Sequence, residues 1–396
     1  MKENLTPEKL REKKGKKQKT CTSLAMMVYM MAFGGFSGYM LAEVEEQWFG
    51  NSTMAGGVFY VVICTFAMFA FFWLLHVFFH ELGHMIFGLI SGYEFQSIRF
   101  GKLIILKTDN GIKLGKYSLS GTGGQCLMKP PKGAMDDYPT ALYNLGGCIV
   151  NGVLTLCMLL GWWLLGRKSV LALFCFMGAL IGLGMVLLNG IPISALSNDG
   201  YNTLILQKSK KARRAFRFQL EIVNGLAKGY STAQMPQEWF AWELSVPENN
   251  LETAQGINKF SYLLLEQEYK KALEVGQYLW ENAIYMTDIH SKVLKSELLF
   301  CNMMLDSDRG KIKEEYKKEE KNFRQLNAML SMQRTNYAYA LLVERDEKKA
   351  KIFLEKFQGL AQKYPYPGEV AAERELMSAA EEKYQNSLLQ EKESSI

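Results

Sequence analysis

Four long apolar runs constrain the fold of this 396-residue chain more than any other feature. They cover 22–42, 57–91, 141–166 and 168–190, and about 20 apolar residues are enough for a helix to cross the hydrocarbon core of a bilayer. Within lipid, only helices and closed barrels satisfy their own backbone hydrogen bonds. The sequence therefore predicts a mainly α membrane protein with four transmembrane helices, the second of which is too long for a simple span.

The charges that flank these runs predict how the chain crosses the membrane. The tail 1–20 is basic and belongs in the cytoplasm, whereas the loop 43–56 has three Glu and no Lys or Arg and is expected outside. The segments 93–140 and 207–217 are basic again. We expect a multi-pass protein of a bacterial cell membrane with both termini cytoplasmic. A cleaved signal is the alternative for the first run, which is long for a signal core.

Composition divides the chain near residue 206. We predict a basic tail 1–20, a membrane domain 21–206 and a cytoplasmic helical domain 207–396, which is rich in Lys, Glu, Gln and Tyr. LLLEQEYKKA at 263–272 is similar to ALLVERDEKKA at 340–350, which indicates two units of 39 residues. The helical domain thus resembles a tetratricopeptide array that would bind a protein partner, and a plain helical bundle is the alternative. No basic pattern favours nucleic-acid binding.

The second apolar run contains the sequence His80-Glu81-Leu82-Gly83-His84. Residues four apart project from one face of a helix, so both imidazoles can bind a single metal ion. A zinc ion would bring the pKa of a bound water near neutrality, and Glu81 could then take its proton. Ionisable groups within a span are costly unless they are paired or functional, which favours a Zn²⁺ site over a chance match. We predict His80 and His84 as ligands and Glu81 as the catalytic base.

A catalytic zinc usually has three protein ligands, so a third must come from elsewhere. His76 is on the same helix face as His80 and could ligate, line the pocket or hydrogen-bond to the site, although three such ligands would extend over about 12 Å of helix. His290 lies in the polar half and is expected to be structural. Asp199, in IPISALSNDG after the fourth run, is the preferred ligand. An Asn-Asp-Gly turn that ends a helix is the alternative for it.

A membrane-embedded HExxH followed two spans later by an Asn…Pro…Asp-Gly element resembles the site-2 protease family of intramembrane zinc metalloproteases. The resemblance covers roughly residues 57–205. It implies a three-helix core made from the last three runs, with His80, His84 and Asp199 as zinc ligands and Glu81 as the base.

Gly147-Cys148-Ile149-Val150-Asn151 is similar to the Gly-Pro-x-x-Asn element of that family. This similarity implies that Asn151 is a polar group near the substrate. The sequence departs from the family motifs in two ways. Cys148 occupies the place of the proline, and the segment from Pro192 to Asp199 is longer than in the usual motif.

Residues 95–120 alternate in polarity and contain Asp109-Asn110-Gly111, which is a hairpin turn signal. We predict a small β-hairpin at the cytoplasmic mouth of the site, followed by a flexible glycine-rich loop at 121–125. In the family, a small sheet here binds the unwound substrate as an added strand. A structural hairpin with a linker is the alternative.

The leading functional prediction is a zinc-dependent intramembrane endopeptidase. It would cut a membrane-anchored peptide or protein near the cytoplasmic face, in regulated proteolysis or in the processing of a peptide precursor. The alternative is a non-catalytic membrane scaffold whose helical domain recruits a partner, although a structural zinc site does not need the carboxylate of Glu81. A third interpretation is a zinc protease of another membrane fold, such as the prenyl-protein processing type, with a Glu as third ligand.

Overall fold

The structure is a computed structural model that describes residues 9–11, 24, 27–36, 38–39, 55–108, 111–117, 123–166, 169–194 and 196–393. It is mostly helical and divides into two compact units. The membrane unit comprises 13–102 and 119–209, and the helical unit comprises 1–12, 103–118 and 210–396. The division differs from the predicted domains mainly because 103–118 clusters with the helical half.

The membrane unit contains five described helices. They are α1 (Met27–Phe36), α2 (Ala55–Ile90), α3 (Ala141–Leu164), α4 (Val170–Gly190) and α5 (Asp199–Lys208). Within α2 the stretch Ile63–Ile90, and the whole of α3 and α4, are long and apolar enough to cross a membrane. Three of the four predicted spans are therefore candidate membrane helices. Helix α1 is apolar but shorter, and most of the remainder of the predicted span 22–42 lies outside the described residues.

Helices α2, α3 and α4 pack against one another through small residues. Gly83 of α2 and Gly146 of α3 face each other so closely that a Cβ on either would overlap the backbone of the other. At Gly147 a Cβ would lie 2.5 Å from the ring of His80. Close approach through glycine is typical of membrane helices, where packing and not the hydrophobic effect drives association. These contacts bring α3 directly against the face of α2 that carries the histidines.

Four strands follow α2, namely β1 (Glu94–Phe100), β2 (Leu103–Thr108), β3 (Gly111–Lys116) and β4 (Gly124–Lys129). They form an antiparallel sheet in the order β3-β2-β1-β4. The predicted hairpin is present as β2 and β3, which pair from Thr108↔Gly111 to Leu103↔Lys116. Its connecting residues Asp109 and Asn110 lie outside the described residues.

The sequence predicted one hairpin, but the sheet has two more strands, because β1 also pairs with β4 from Phe100↔Gly124 to Glu94↔Lys129. The predicted flexible loop 121–125 includes the first residues of β4. Pairing partners more than 20 residues apart leave no local signal, whereas the Asn-Gly turn of β2 and β3 does.

The helical unit contains eight α-helices among its described residues. They are α6 (Lys210–Lys228), α7 (Asn250–Leu265), α8 (Tyr269–Asn282), α9 (Asp288–Met304), α10 (Arg309–Arg324), α11 (Leu330–Ala338), α12 (Glu347–Ala361) and α13 (Pro367–Glu393). Short 3-10 helices occupy Thr232–Gln234 and Gln237–Phe240, and α11 continues as a π-helical segment at Tyr339–Glu344. One apolar core, with Phe260, Phe300 and Phe357 fully buried, joins these helices.

Three turns of the helical unit share one backbone geometry. Gln267, Asp306 and Arg345 have φ values of 56°, 56° and 59°, and they follow one another at intervals of 39 residues. Each ends the first helix of a pair, and the next residue donates its backbone N–H back across the helix end. Non-glycine residues with positive φ are uncommon. Their recurrence therefore coincides with the interval that the sequence comparison indicated.

The hairpin of β2 and β3 packs within the helical unit. Ile104 and Leu106 are buried together with Ala227 of α6 and Tyr366, which precedes α13. Tyr117 lies edge-on to Tyr364 and Tyr366, with ring centroids 5.5 Å and 5.8 Å apart. The apolar face of β2 explains why this hairpin clusters with the helical half and not with the membrane half.

Candidate metal centre

Three side chains of the membrane unit converge on one point. His80 Nε2 lies 3.0 Å from Asp199 Oδ2, His84 Nε2 lies 3.4 Å from the same oxygen, and the two Nε2 atoms are 3.1 Å apart. Ligand atoms bound about 2.0–2.1 Å from a tetrahedral ion are separated by about 3.4 Å. This His-His-Asp group could therefore hold a metal ion.

Helix α2 and its neighbour α3 position the two histidines. His80 and His84 are one turn apart on α2, so their rings face the same side. His84 Nδ1 donates to the backbone oxygen of Tyr143 over 2.8 Å, which leaves the Nε2 lone pair directed at the site. Such a bond from the distal ring nitrogen is the usual way in which a protein orients a metal-binding histidine.

The start of α5 positions Asp199. Asn198 caps this helix by accepting from the N–H of Tyr201 over 3.0 Å, and its amide donates to Leu188 O and Ile191 O at the end of α4. The Asn-Asp-Gly sequence thus begins a helix and does not end one. Ser197, with φ 48°, lies in the longer approach from Pro192.

Two effects on Asp199 oppose each other when the site holds a proton in place of a metal. Burial raises the pKa of this carboxyl, whereas an imidazolium at His84 or His80 lowers it by more, so that its pKa lies below the usual range. Cys148, at the position of the family proline, places its Sγ 3.9 Å from Asp199 Oδ2.

Glu81 lies between the two histidines in sequence and is buried beside them, with 7% of its surface exposed. The first residue of β4, Gly124, lies against its carboxylate, and a Cβ at this position would overlap it. Arg99 of β1 donates to Gly124 O over 3.2 Å and to Gly101 O over 2.6 Å. Strand β4 is thereby held next to Glu81.

The structure places two further candidates, Asn151 and His76, beside the converging group. Asn151 is fully buried between His76 and His80, at 3.2 Å from a ring nitrogen of each. His76 lies outside the converging group, and its Nε2 contacts Gly178 O at 3.0 Å. Of the three roles considered for His76, hydrogen bonding to the site is the one the geometry matches. His290 belongs to α9 in the helical unit.

Several residues that shape the site were not found from the sequence. Asn198 could have been found, because Asn is a preferred residue before the first turn of a helix. The contributions of Tyr143 and Arg99 depend on contacts between segments far apart in the chain, and no local pattern indicates them. Gly147 belongs to the Gly-x-x-x-Asn element and Gly124 to the predicted glycine-rich loop, but their contacts with side chains of α2 appear only in the fold.

Fold and site together define a class: a protein with candidate membrane-spanning helices and a candidate His-His-Asp metal centre. Comparison with known proteins adds no name to this class, since no family model, curated protein or solved structure significantly matches the chain. The interpretation of the site therefore rests on its own geometry.

Proposed function

We propose that this chain is a zinc-dependent intramembrane endopeptidase that resembles the site-2 protease family. The observation that carries the proposal is the position of Glu81, a buried carboxylate that directly follows His80 of the His80–His84–Asp199 group. A site that only holds a structural metal has no need of such a carboxylate.

The donor set fits zinc, which is bound by imidazole and carboxylate in tetrahedral catalytic sites with one open position. When bound there by His80, His84 and Asp199, zinc would lower the pKa of a water molecule and polarise a peptide carbonyl. The carboxylate of Glu81 would accept a proton from that water and then donate it to the amine of the departing peptide product. Arg99 would keep β4 against Glu81.

The position of strand β4 favours the binding of a substrate in an extended conformation. It is at one edge of the sheet and begins beside Glu81, so its outer backbone groups can pair with a further strand. A helical substrate must unwind before its carbonyl can be attacked. We propose that a membrane-anchored peptide or protein binds along this edge, as the resemblance implies.

The membrane topology belongs to the same proposal. Four spans, with the run 22–42 as the first, and both termini in the cytoplasm follow from the flanking charges. In that orientation the histidines of α2 and the start of α5 lie towards the cytoplasmic side. Cleavage near the cytoplasmic face of a bacterial cell membrane is the consequence.

For the helical unit we propose a tetratricopeptide-like array that recruits a protein partner. Three turns with one geometry at 39-residue intervals support it, because stacked helix pairs repeat their backbone conformation. The rival scaffold hypothesis shares this feature and differs only in denying catalysis.

The test compares the full chain in its native membrane with Glu81→Gln. We expect wild type to generate new peptide termini within or beside transmembrane segments of co-purifying proteins, detected by mass spectrometry. Glu81→Gln should retain the metal and generate none, while the uncut partner accumulates. Glu94→Gln, which changes an exposed carboxylate in the same unit, is the matched control. Identical termini from wild type and Glu81→Gln would refute proteolysis and favour the scaffold.

A further inference from the structure

We infer that His76 and Asn151 form a hydrogen-bond chain from Gly178 O to His80, and that this chain holds His80 in its metal-binding tautomer. The inference deepens the metal site and rests on that part of the proposed function, but it does not depend on proteolysis. It selects one of the three roles open to His76, which is then not a ligand, and it moves Asn151 away from the substrate, so that both are positioning residues.

The donor and the acceptor of each hydrogen bond in this series follow from its first group, Gly178 O, which can only accept. Gly178 O is a backbone carbonyl, so His76 Nε2, 3.0 Å away, must carry a proton. A fully buried histidine among apolar helices is neutral, since an unpaired charge there is costly. The other ring nitrogen of His76, Nδ1, is then an acceptor and requires an N–H donor.

The amide of Asn151 can supply that donor and an acceptor at the same time. It lies 3.2 Å from His76 Nδ1 on one side and 3.2 Å from His80 Nδ1 on the other. In the structure the oxygen faces His76 and the nitrogen faces His80. A half-turn of the amide exchanges them, so that nitrogen donates to His76 and oxygen accepts from His80.

With both histidines neutral, only this exchanged orientation makes each of the three hydrogen bonds between Gly178 O and His80 Nδ1 a donor–acceptor pair. It requires the proton of His80 on Nδ1 and therefore leaves the lone pair on Nε2. That nitrogen is the atom 3.0 Å from Asp199 Oδ2 and 3.1 Å from His84 Nε2. The chain thus selects the one tautomer of His80 that can bind the metal.

Among the described residues, the side chains of His76 and Asn151 make the hydrogen bonds of this series. His76 and Asn151 are each 0% exposed, and Gly182 of α4 has no space for a Cβ beside the ring of His76. Since both nitrogens of His76 are occupied by Gly178 and Asn151, neither is available to a metal. Since both polar atoms of Asn151 face histidines, neither is available to a peptide.

The first experiment measures metal binding by the purified full chain, with Zn²⁺ in competition with a chelator and Co²⁺ as a spectroscopic probe. We expect Asn151→Leu to weaken Zn²⁺ binding about 10–100-fold, as removal of an outer partner of a metal-binding histidine does, and to change the visible Co²⁺ spectrum. Asn151→Asp should bind Zn²⁺ more tightly than Asn151→Leu, because a carboxylate oxygen still accepts from His80 Nδ1 although it offers no donor to His76. Ser169→Ala is the control, since it removes a hydrogen bond from Ala172 N at the start of α4, away from the histidines.

The second experiment tests whether His76 acts through Asn151. His76→Leu should weaken Zn²⁺ binding less than Asn151→Leu, and the double variant should be no weaker than Asn151→Leu alone. Additive losses would overturn the inference, as they would show that His76 acts on the metal by another route.

Two other results would also overturn it: wild-type affinity and spectrum in both leucine variants, or an Asn151→Asp variant as weak as Asn151→Leu. If wild type binds neither Zn²⁺ nor Co²⁺, the metal site and the inference fail together. Loss of the proposed proteolysis with metal binding intact would leave the inference standing.

Discussion

Both units bury a cluster of ionisable side chains, but they arrange the polar atoms in opposite ways. In the helical unit Arg334 is enclosed by acceptors: both carboxylate oxygens of Glu297 at 2.6 Å, Glu373 at 2.9 Å and Thr335 at 3.2 Å. The ring of Phe300 covers its guanidinium at 4.1 Å. This cluster contains its own cation.

In the membrane unit the cluster consists of two imidazoles and one carboxylate and includes no Lys or Arg. His80, His84 and Asp199 direct two nitrogens and an oxygen at one point, and the hydrogen bond to Tyr143 leaves a lone pair there on His84. Three such atoms could hold a cation between them. Burial of ionisable groups is common to both units, so the direction of their polar atoms is what separates a structural cluster from a candidate metal site.

The strongest test of this contrast removes the carboxylate from the membrane cluster. Asp199→Asn should lower Zn²⁺ affinity by more than the 10–100-fold typical of an outer partner, because a charged ligand is lost. Chelator competition on the purified full chain measures the affinity, and Asp137→Asn, an exposed carboxylate in the same unit, is the control. Unchanged zinc binding would instead favour a Glu as third ligand, as in the prenyl-protein processing type.

The second test removes the cation from the helical cluster. Arg334→Met leaves Glu297 and Glu373 buried without a counter-charge and should lower the free energy of unfolding of the helical unit by about 3–5 kcal/mol. Hydrogen exchange of α9 and α11 measures the loss, and zinc affinity should not change.

Arg324→Met is the matched control, because its pair with Glu320 is exposed and such pairs contribute about 1 kcal/mol or less. Protection of α9 that is equal in both variants would show that the buried cluster does not stabilise the fold.

The smallest expected effect is a pH dependence of the stability of the helical unit, which comes from a buried carboxyl in that unit. Burial raises the pKa of Glu369 at the start of α13 to about 7, against a lowering by the hydroxyl of Tyr364, which donates to it over 2.7 Å. The folded chain then holds this proton more tightly than the unfolded chain, whose pKa is near 4.5. The contribution of Glu369 to the free energy of unfolding is therefore largest at low pH. It declines as pH rises from about 4.5 to 7, by on the order of 3 kcal/mol.

Glu369→Gln should remove this decline. The measurement is the opening free energy of α13 by hydrogen exchange at several pH values, corrected for intrinsic exchange, relative to wild type. Glu375→Gln, on the exposed side of α13, should keep the wild-type slope. A Glu369→Gln variant with an unaltered slope would contradict the raised pKa.

Much of the candidate site could be predicted from local sequence. The spacing of His80 and His84 is a helical interval, and the apolar residues around them predict the long helix α2. Asp199 was chosen for its place after the last apolar run, and the structure brings it to both histidines. The turn of β2 and β3 was indicated by Asn-Gly.

Other features followed no local rule. Strand β4 pairs with β1, from which it is separated in sequence by β2 and β3. The β2–β3 hairpin packs with α6, although the residues before and after the hairpin in sequence belong to the membrane unit. Asn151 was expected near substrate, and it lies between two histidines.

The sequence by itself determined the apolar helices, the shared face of the two histidines and the 39-residue interval, because helix periodicity and turn chemistry act over a few residues. Only the tertiary structure decided that Asp199 reaches the histidines, that Gly124 lies against Glu81 and that His76 lies outside the converging group. These facts depend on how closely separate helices approach. Glycine contacts such as that of Gly83 with Gly146 set this distance, and they form only when distant segments meet.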